Sequence, residues 1–199
     1  MITSMSDIIC VTNRSLCGGD FLAQTEKIAA AHPKAIILRE KDLSPEEYTE
    51  LAGKVMDICK RQDTLCILHS FTEAALELGA DAIHLPLHKL LELPEDIRKR
   101  FRLIGASCHS VSDALQAQQA GASYITAGHV FATDCKKGLP PRGLDFLRDV
   151  CGAVSIPVYA IGGISPQNMK DTLACGAAGG CIMSGLMKCD DPLAYLGGE

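Results

Sequence analysis

The stretch ELGADAIHL, from Glu77 to Leu85, ends a helical pattern on Gly79 and starts a short apolar run at Ala82. Glycine takes the left-handed cap at a helix C-terminus without the steric cost a side chain would incur. The same junction returns as QAGASYITAG from Gln119, with Gly121, and as ACGAAGGCIMSG from Ala174, with Gly176. A helix-to-strand junction that recurs in this way marks repeated βα units, which build a parallel sheet flanked by helices.

Working outward from these junctions, eight apolar runs can be placed: Asp7 to Asn13, Ala35 to Glu40, Thr64 to Ser70, Ala82 to Leu87, Arg102 to His109, Tyr124 to Val130, Pro157 to Gly163 and Gly179 to Gly185. Helical segments are expected from Asp20 to Ala31, from Ser44 to Arg61, from Phe71 to Leu78, from Pro94 to Phe101 and from Ser110 to Ala120. The second has the strongest start, with Ser44 as N-cap, Pro45 at the first helical position and Glu47 completing a capping box. Eight units occupy residues 1–199 as a single domain. Strands this uniformly apolar are buried on both faces, so the expected fold class is α/β, a single (β/α)8 TIM barrel. A Rossmann sheet would need a GxGxxG after the first strand, and none is present.

Apolar residues make up 47% of the chain and charged residues 22%, a globular balance, and the net charge of -5 argues against a broad basic face for nucleic acid. No helix-turn-helix pattern or basic stripe appears. No apolar run reaches the ~18 residues of a membrane span, and MITSMSDIICVTN has neither a basic n-region nor a cleavage site. A cytoplasmic location is therefore expected, with no membrane partner; a homo-oligomer is left open. The ten cysteines are scattered, with no CxxC pair and no zinc spacing. Most are expected to be reduced small hydrophobes; Cys135, beside two lysines, is the one thiol in a setting that would activate it.

In a barrel of this kind function lies at the C-terminal ends of the strands. The seventh run ends in Gly162-Gly163 and the eighth in Ser184-Gly185, where backbone amides and a hydroxyl would hold phosphate. The second ends Arg39-Glu40-Lys41, with both cations on one face and the acid opposite. The fifth brings Ser107 and His109 to one face, the third ends His69-Ser70, and the sixth delivers His129. His129 opens the loop GHVFATDCKKG, in which Asp134, Lys136 and Lys137 follow, and Arg142 extends the positive patch. A histidine beside cations suits an anionic substrate that exchanges a proton. Glu40 and Asp134 have no carboxylate companion, so no metal site is expected. His84 and His88, four apart but with the first in a β-run, would not share a helix face and are set aside.

These residues give the chain a resemblance that spans nearly every strand. ILRE (Ile37 to Glu40), ELGADAIHL, IGASCHS (Ile104 to Ser110), GHVF, PVYAIGGI and the Ser184-Gly185 ending follow the order of the thiamin phosphate synthase superfamily. The synthase branch, which couples a pyrimidine diphosphate to a thiazole phosphate with magnesium, carries Asn-Asp after the third strand and Asp after the fourth; here those places hold His69-Ser70 and Pro86-Leu87-His88. The TenI-like tautomerase branch is similar in GHVFATDCKKGLPPRG (Gly128 to Gly143), although it carries Asn-Gly where this chain has His69-Ser70. That resemblance implies aromatisation of an ylidene thiazole carboxylate phosphate by a cofactor-free 1,3 proton shift. It maps the acid-base role onto His129, and the strand-end reading of Gly162, Gly163, Ser184 and Gly185 as the phosphate site agrees with that chemistry. Arg39 and Lys137 are expected near the carboxylate or the phosphate, and Lys41, Ser107 and His109 are further substrate contacts. The alternatives are a synthase with unusual metal ligands and a non-catalytic regulatory or ligand-binding relative.

Overall fold

The computed structural model describes residues 7–136 and 138–197, without the side chain of Cys135. Eight parallel strands close into one barrel in chain order. They are β1 (Ile8–Val11), β2 (Ala35–Leu38), β3 (Cys66–His69), β4 (Ala82–Pro86), β5 (Leu103–Cys108), β6 (Tyr124–Gly128), β7 (Val158–Ile161) and β8 (Gly179–Ile182). The helices are α1 (Phe21–Ala30), α2 (Pro45–Arg61), α3 (Thr72–Glu77), α4 (Leu87–Glu92), α5 (Glu95–Arg98), α6 (Val111–Gln119), α7 (Gly143–Ala153), α8 (Met169–Ala174), α9 (Ser184–Lys188) and α10 (Pro192–Tyr195). The ring closes where Ile9 of β1 pairs with Cys181 of β8. The expected (β/α)8 barrel is thus the observed fold, and no helix among the described residues is long and apolar enough to cross a membrane.

The three glycines that suggested the repeat all have positive φ, 64° at Gly79, 84° at Gly121 and 90° at Gly176, in the left-handed region expected just beyond a helix. The capping box at α2 forms as expected, with Ser44 and Glu47 exchanging side-chain-to-backbone hydrogen bonds. Other boundaries differ. The sixth run was expected to continue to Val130, but β6 ends at Gly128, so His129 stands one residue beyond the strand. The segment expected as one helix from Pro94 to Phe101 holds only the short α5, and α4 begins directly after β4. Pro86 and Pro94, each at the cap position before its helix, divide this region into two short turns.

Alternation along each strand sorts the side chains into two buried sets. Ile9, Val11, Ala35, Ile37, Ile67, Tyr124, Tyr159 and Cys181 face the barrel axis. Ile8, Cys10, Ile36, Leu38, Leu68 and Ala106 face the helices, where they meet Ile28, Tyr48, Val55 and Leu147. Gly105 makes room inside the ring, because a Cβ there would overlap the Tyr124 ring and the His84 imidazole.

Tyr48 ties the helical layer to the strand ends. Its fully buried hydroxyl donates to the Leu38 carbonyl at 2.7 Å and accepts from the His69 amide at 2.9 Å. Its ring stacks on Phe71 at 4.0 Å. One hydroxyl therefore holds together the ends of β2 and β3, just where Arg39 and His69 leave the barrel wall. Tyr48→Phe removes both bonds and leaves buried backbone groups without a partner; it is expected to cost about 1–3 kcal/mol in urea unfolding.

Candidate active site

The C-terminal ends of the strands surround a cavity of about 270 Å³. Of the residues singled out in the sequence, Arg39, Lys41, Ser107, His109, His129, Gly162, Gly163 and Ser184 all line it. Gly185 is not among its lining residues and packs instead against the Tyr195 hydroxyl. Lys137 and the Cys135 thiol lie outside the described residues.

His129 is held by the end of β7. The amides of Val130 and Phe131 donate to the carbonyls of Ile161 and Gly162, each at 2.9 Å, and Arg142 donates its amide to the His129 carbonyl at 3.0 Å. The Gly128–His129 peptide bond is cis. Gly162 has φ 95°, and a Cβ there would overlap the backbone and Cβ of His129. Only glycine meets both demands, the positive φ and the close approach. The loop after β7 is braced by Asn168, whose side chain donates to the Gly163 carbonyl at 2.8 Å and accepts from the Ser165 amide at 2.9 Å. Among the described residues the amides of Gly162 and Gly163 have no backbone acceptor, which leaves them free to meet an anion. Ser184 starts α9, so its hydroxyl sits where the first amides of a helical turn lack partners.

His109 faces the same opening. Its Nδ1 lies 2.9 Å from the Gly128 carbonyl. A carbonyl can only accept, so Nδ1 carries the proton and Nε2 of the neutral ring is an acceptor. His129 makes a longer contact, from Nε2 to the Leu139 carbonyl at 3.4 Å, which leaves the ring weakly held.

His84, set aside on its sequence spacing, belongs to the site. It lines the cavity, with Nδ1 3.0 Å from the Tyr124 hydroxyl and Nε2 2.9 Å from Ser107 Oγ. Strand parity could have found it, since it stands two residues before the strand-end Pro86; comparison with His88 obscured this. His69 is 4% exposed, its ring stacked 5.7 Å from that of His84, and its Nδ1 has no hydrogen-bond partner. The cavity floor is therefore a layer of neutral hydrogen-bonding groups.

The rim is cationic. Lys41 lies below its usual lysine value, first through partial burial and then through the nearby charges of Arg39, Lys136 and Lys89. Glu40 points the other way. It is 2% exposed, accepts from the Thr12 hydroxyl at 2.6 Å and from the Arg14 amide at 3.0 and 3.1 Å, and lies 3.5 Å from the Arg14 guanidinium. Among the described residues no group of three His, Cys, Asp or Glu side chains is placed to hold a metal ion.

Burial lowers His84 from 6.5 to about 3, and burial followed by the charges of His84, Arg39, Lys41 and Lys89 lowers His69 to about 2. An unfolded chain would protonate these rings first as pH falls. The stability they contribute is thus complete above about pH 6.5 and is lost as pH falls towards their folded values. Thermal melts should show this acid loss, at most about 1.4 kcal/mol per pH unit for each ring. His84→Asn is expected to flatten the slope between pH 6.5 and 4.

Comparison with known proteins agrees with the fold. Residues 8–186 match the TMP-TENI family, described as thiamine monophosphate synthase. Thiamine-phosphate synthase of Clostridium novyi is 32% identical over 184 residues, covering 91% of this chain and 90% of that protein. A putative thiamine-phosphate synthase of Geobacter sulfurreducens is 35% identical, covering 92% and 87%. The solved structure of thiamine phosphate pyrophosphorylase from Pyrococcus furiosus superposes with a TM-score of 0.83 at 28% identity, covering 96% of this chain and 92% of that one. A match that runs from the first strand into α9, with relatives aligned over nearly their whole length, makes this chain a member of the TMP-TENI family of thiamin-biosynthesis enzymes.

Proposed function

We propose that this family member is a thiazole tautomerase, an isomerase that aromatises a ylidene thiazole carboxylate phosphate with His129 as proton carrier. The observation that carries the proposal is the make-up of the rim. His129 and His109 stand beside cations and free amides, and the ends of β3 and β4 hold His69, Ser70, Pro86 and His88 where a diphosphate enzyme would need acids.

The names of the relatives favour a second reading, thiamin phosphate synthase. That chemistry calls for magnesium, which takes oxygen donors and above all carboxylates. The residues here do not fit it: Glu40 is turned away from the cavity and already hydrogen-bonded, and among the described residues lining the cavity the polar side chains are imidazoles, hydroxyls, a thiol and cations, with no carboxylate.

For the isomerase, the phosphate would rest on the amides of Gly162 and Gly163 and on Ser184. Neutral His129 takes the proton from ring C2. The released electron pair moves through the ring to the exocyclic carbon, and the imidazolium returns a proton there. The ring becomes aromatic and no other reactant is consumed. A positioned acid-base group of this kind contributes about 10²- to 10⁴-fold in rate.

His129→Asn is therefore expected to lower isomerisation, followed by absorbance on the non-aromatic carboxylate, by at least ~100-fold. Its melting temperature should stay close to that of the parent. Full turnover by the variant would remove His129 from the mechanism. Magnesium-dependent coupling of a pyrimidine diphosphate to thiazole phosphate, with no isomerisation, would replace the tautomerase by the synthase.

A further inference from the structure

The cations of the rim occupy a position of their own. Arg39 and Lys41 leave β2, and in a ring closed in the order β1 to β8 this strand stands opposite β6, which delivers His129. The amides and hydroxyl suited to phosphate lie on β7 and β8, between those two poles.

Three observations mark the β2 pole as a binding site in itself. Among the described residues neither the Arg39 guanidinium nor the Lys41 ammonium has an acceptor or an acidic partner, although both line the cavity. The one acid between them in sequence, Glu40, is spent on Thr12 and Arg14 on the outer side of the barrel. Beside them His69, 4% exposed and lining the same cavity, keeps a buried Nδ1 with no partner. The buried His69 nitrogen stays unsatisfied unless a ligand completes it, and among the described residues the two solvent-facing cations beside it have no protein counter-charge. Lys41, lowered first by partial burial and then by its cationic neighbours, would be drawn back towards its usual value beside an anion.

We propose that Arg39 and Lys41, with His69 alongside, form a carboxylate subsite distinct from the phosphate cradle, which selects substrates bearing a ring carboxylate. This rests on the tautomerase reading for the identity of the substrate. A planar guanidinium matches a carboxylate in a two-point contact, whereas a phosphate is well served by free amides and a hydroxyl. A cavity of about 270 Å³ suits one small ring. With phosphate at β7 and β8 and carboxylate at β2, such a ring spans the opening with its C2 edge towards β2, and His129 and His109, beyond the ends of β6 and β5, face it from across the cavity. The subsite would also set the rotation of the ring, because the carboxylate is attached to the carbon that loses its proton.

Binding of two stable aromatic ligands separates this proposal from the function itself. Calorimetric titration would use the carboxythiazole phosphate and the same phosphate lacking the carboxylate, on the parent, Arg39→Met, Lys41→Met and Ser184→Ala. Removing either cation is expected to weaken the carboxylated ligand by roughly tenfold to a hundredfold and the other by less than about twofold. Ser184→Ala should weaken both. Equal weakening of both ligands by the cation variants would assign Arg39 and Lys41 to phosphate and overturn the subsite, as would no weakening of either. Lys41 is more exposed than Arg39, so its variant decides the matter if Arg39→Met melts early. Carboxylate selectivity in a protein that fails to isomerise would leave the subsite standing and remove the tautomerase.

Discussion

In a closed ring of parallel strands each side chain faces either the axis or the helices, and the choice alternates along the strand. The electrostatics of this protein depends on that constraint at the end of β2. Arg39 and Lys41 fall on the axial side and Glu40 on the helical side, where Thr12 and Arg14 receive it. A shift of one residue would place the acid in the cavity and two cations beneath the helices. Tyr48 opposes such a shift, since its hydroxyl joins the Leu38 carbonyl to the His69 amide.

The same alternation grades the cavity from floor to rim. Tyr124, His84 and Ser107 form a hydrogen-bonded chain among apolar interior residues, and burial keeps the imidazole neutral. Above it lie the cations and the two exposed or half-exposed histidines, His109 and His129. Charge is thus confined to the solvent-facing layer, where it costs least and where an anionic ligand would arrive. The floor supplies directional groups that hold shape without adding charge.

Membership of the TMP-TENI family and the chemistry of the cavity answer different questions. Family likeness extends through residues 8–186, and its relatives carry the synthase name. What separates one chemistry from another on such a barrel is a handful of strand-end residues. Here the ends of β3 and β4 hold imidazoles, a hydroxyl and a proline, and the β6 loop brings His129 against Gly162.

The sequence by itself determined the repeat, the closed barrel and the parity of the strand ends. Helix-ending glycines, capping residues and apolar runs are local features whose physics acts within a few residues. It also pointed to Arg39, Lys41, Ser107, His109, His129, Gly162, Gly163 and Ser184, because strand ends are where such a barrel carries polar residues. Tertiary structure alone decided the rest. That His84 reaches Ser107, that His69 keeps an unpaired nitrogen and that Gly185 turns to Tyr195 are contacts between distant segments. No spacing along one strand encodes them, since each depends on which side chain the neighbouring strand or helix sets opposite.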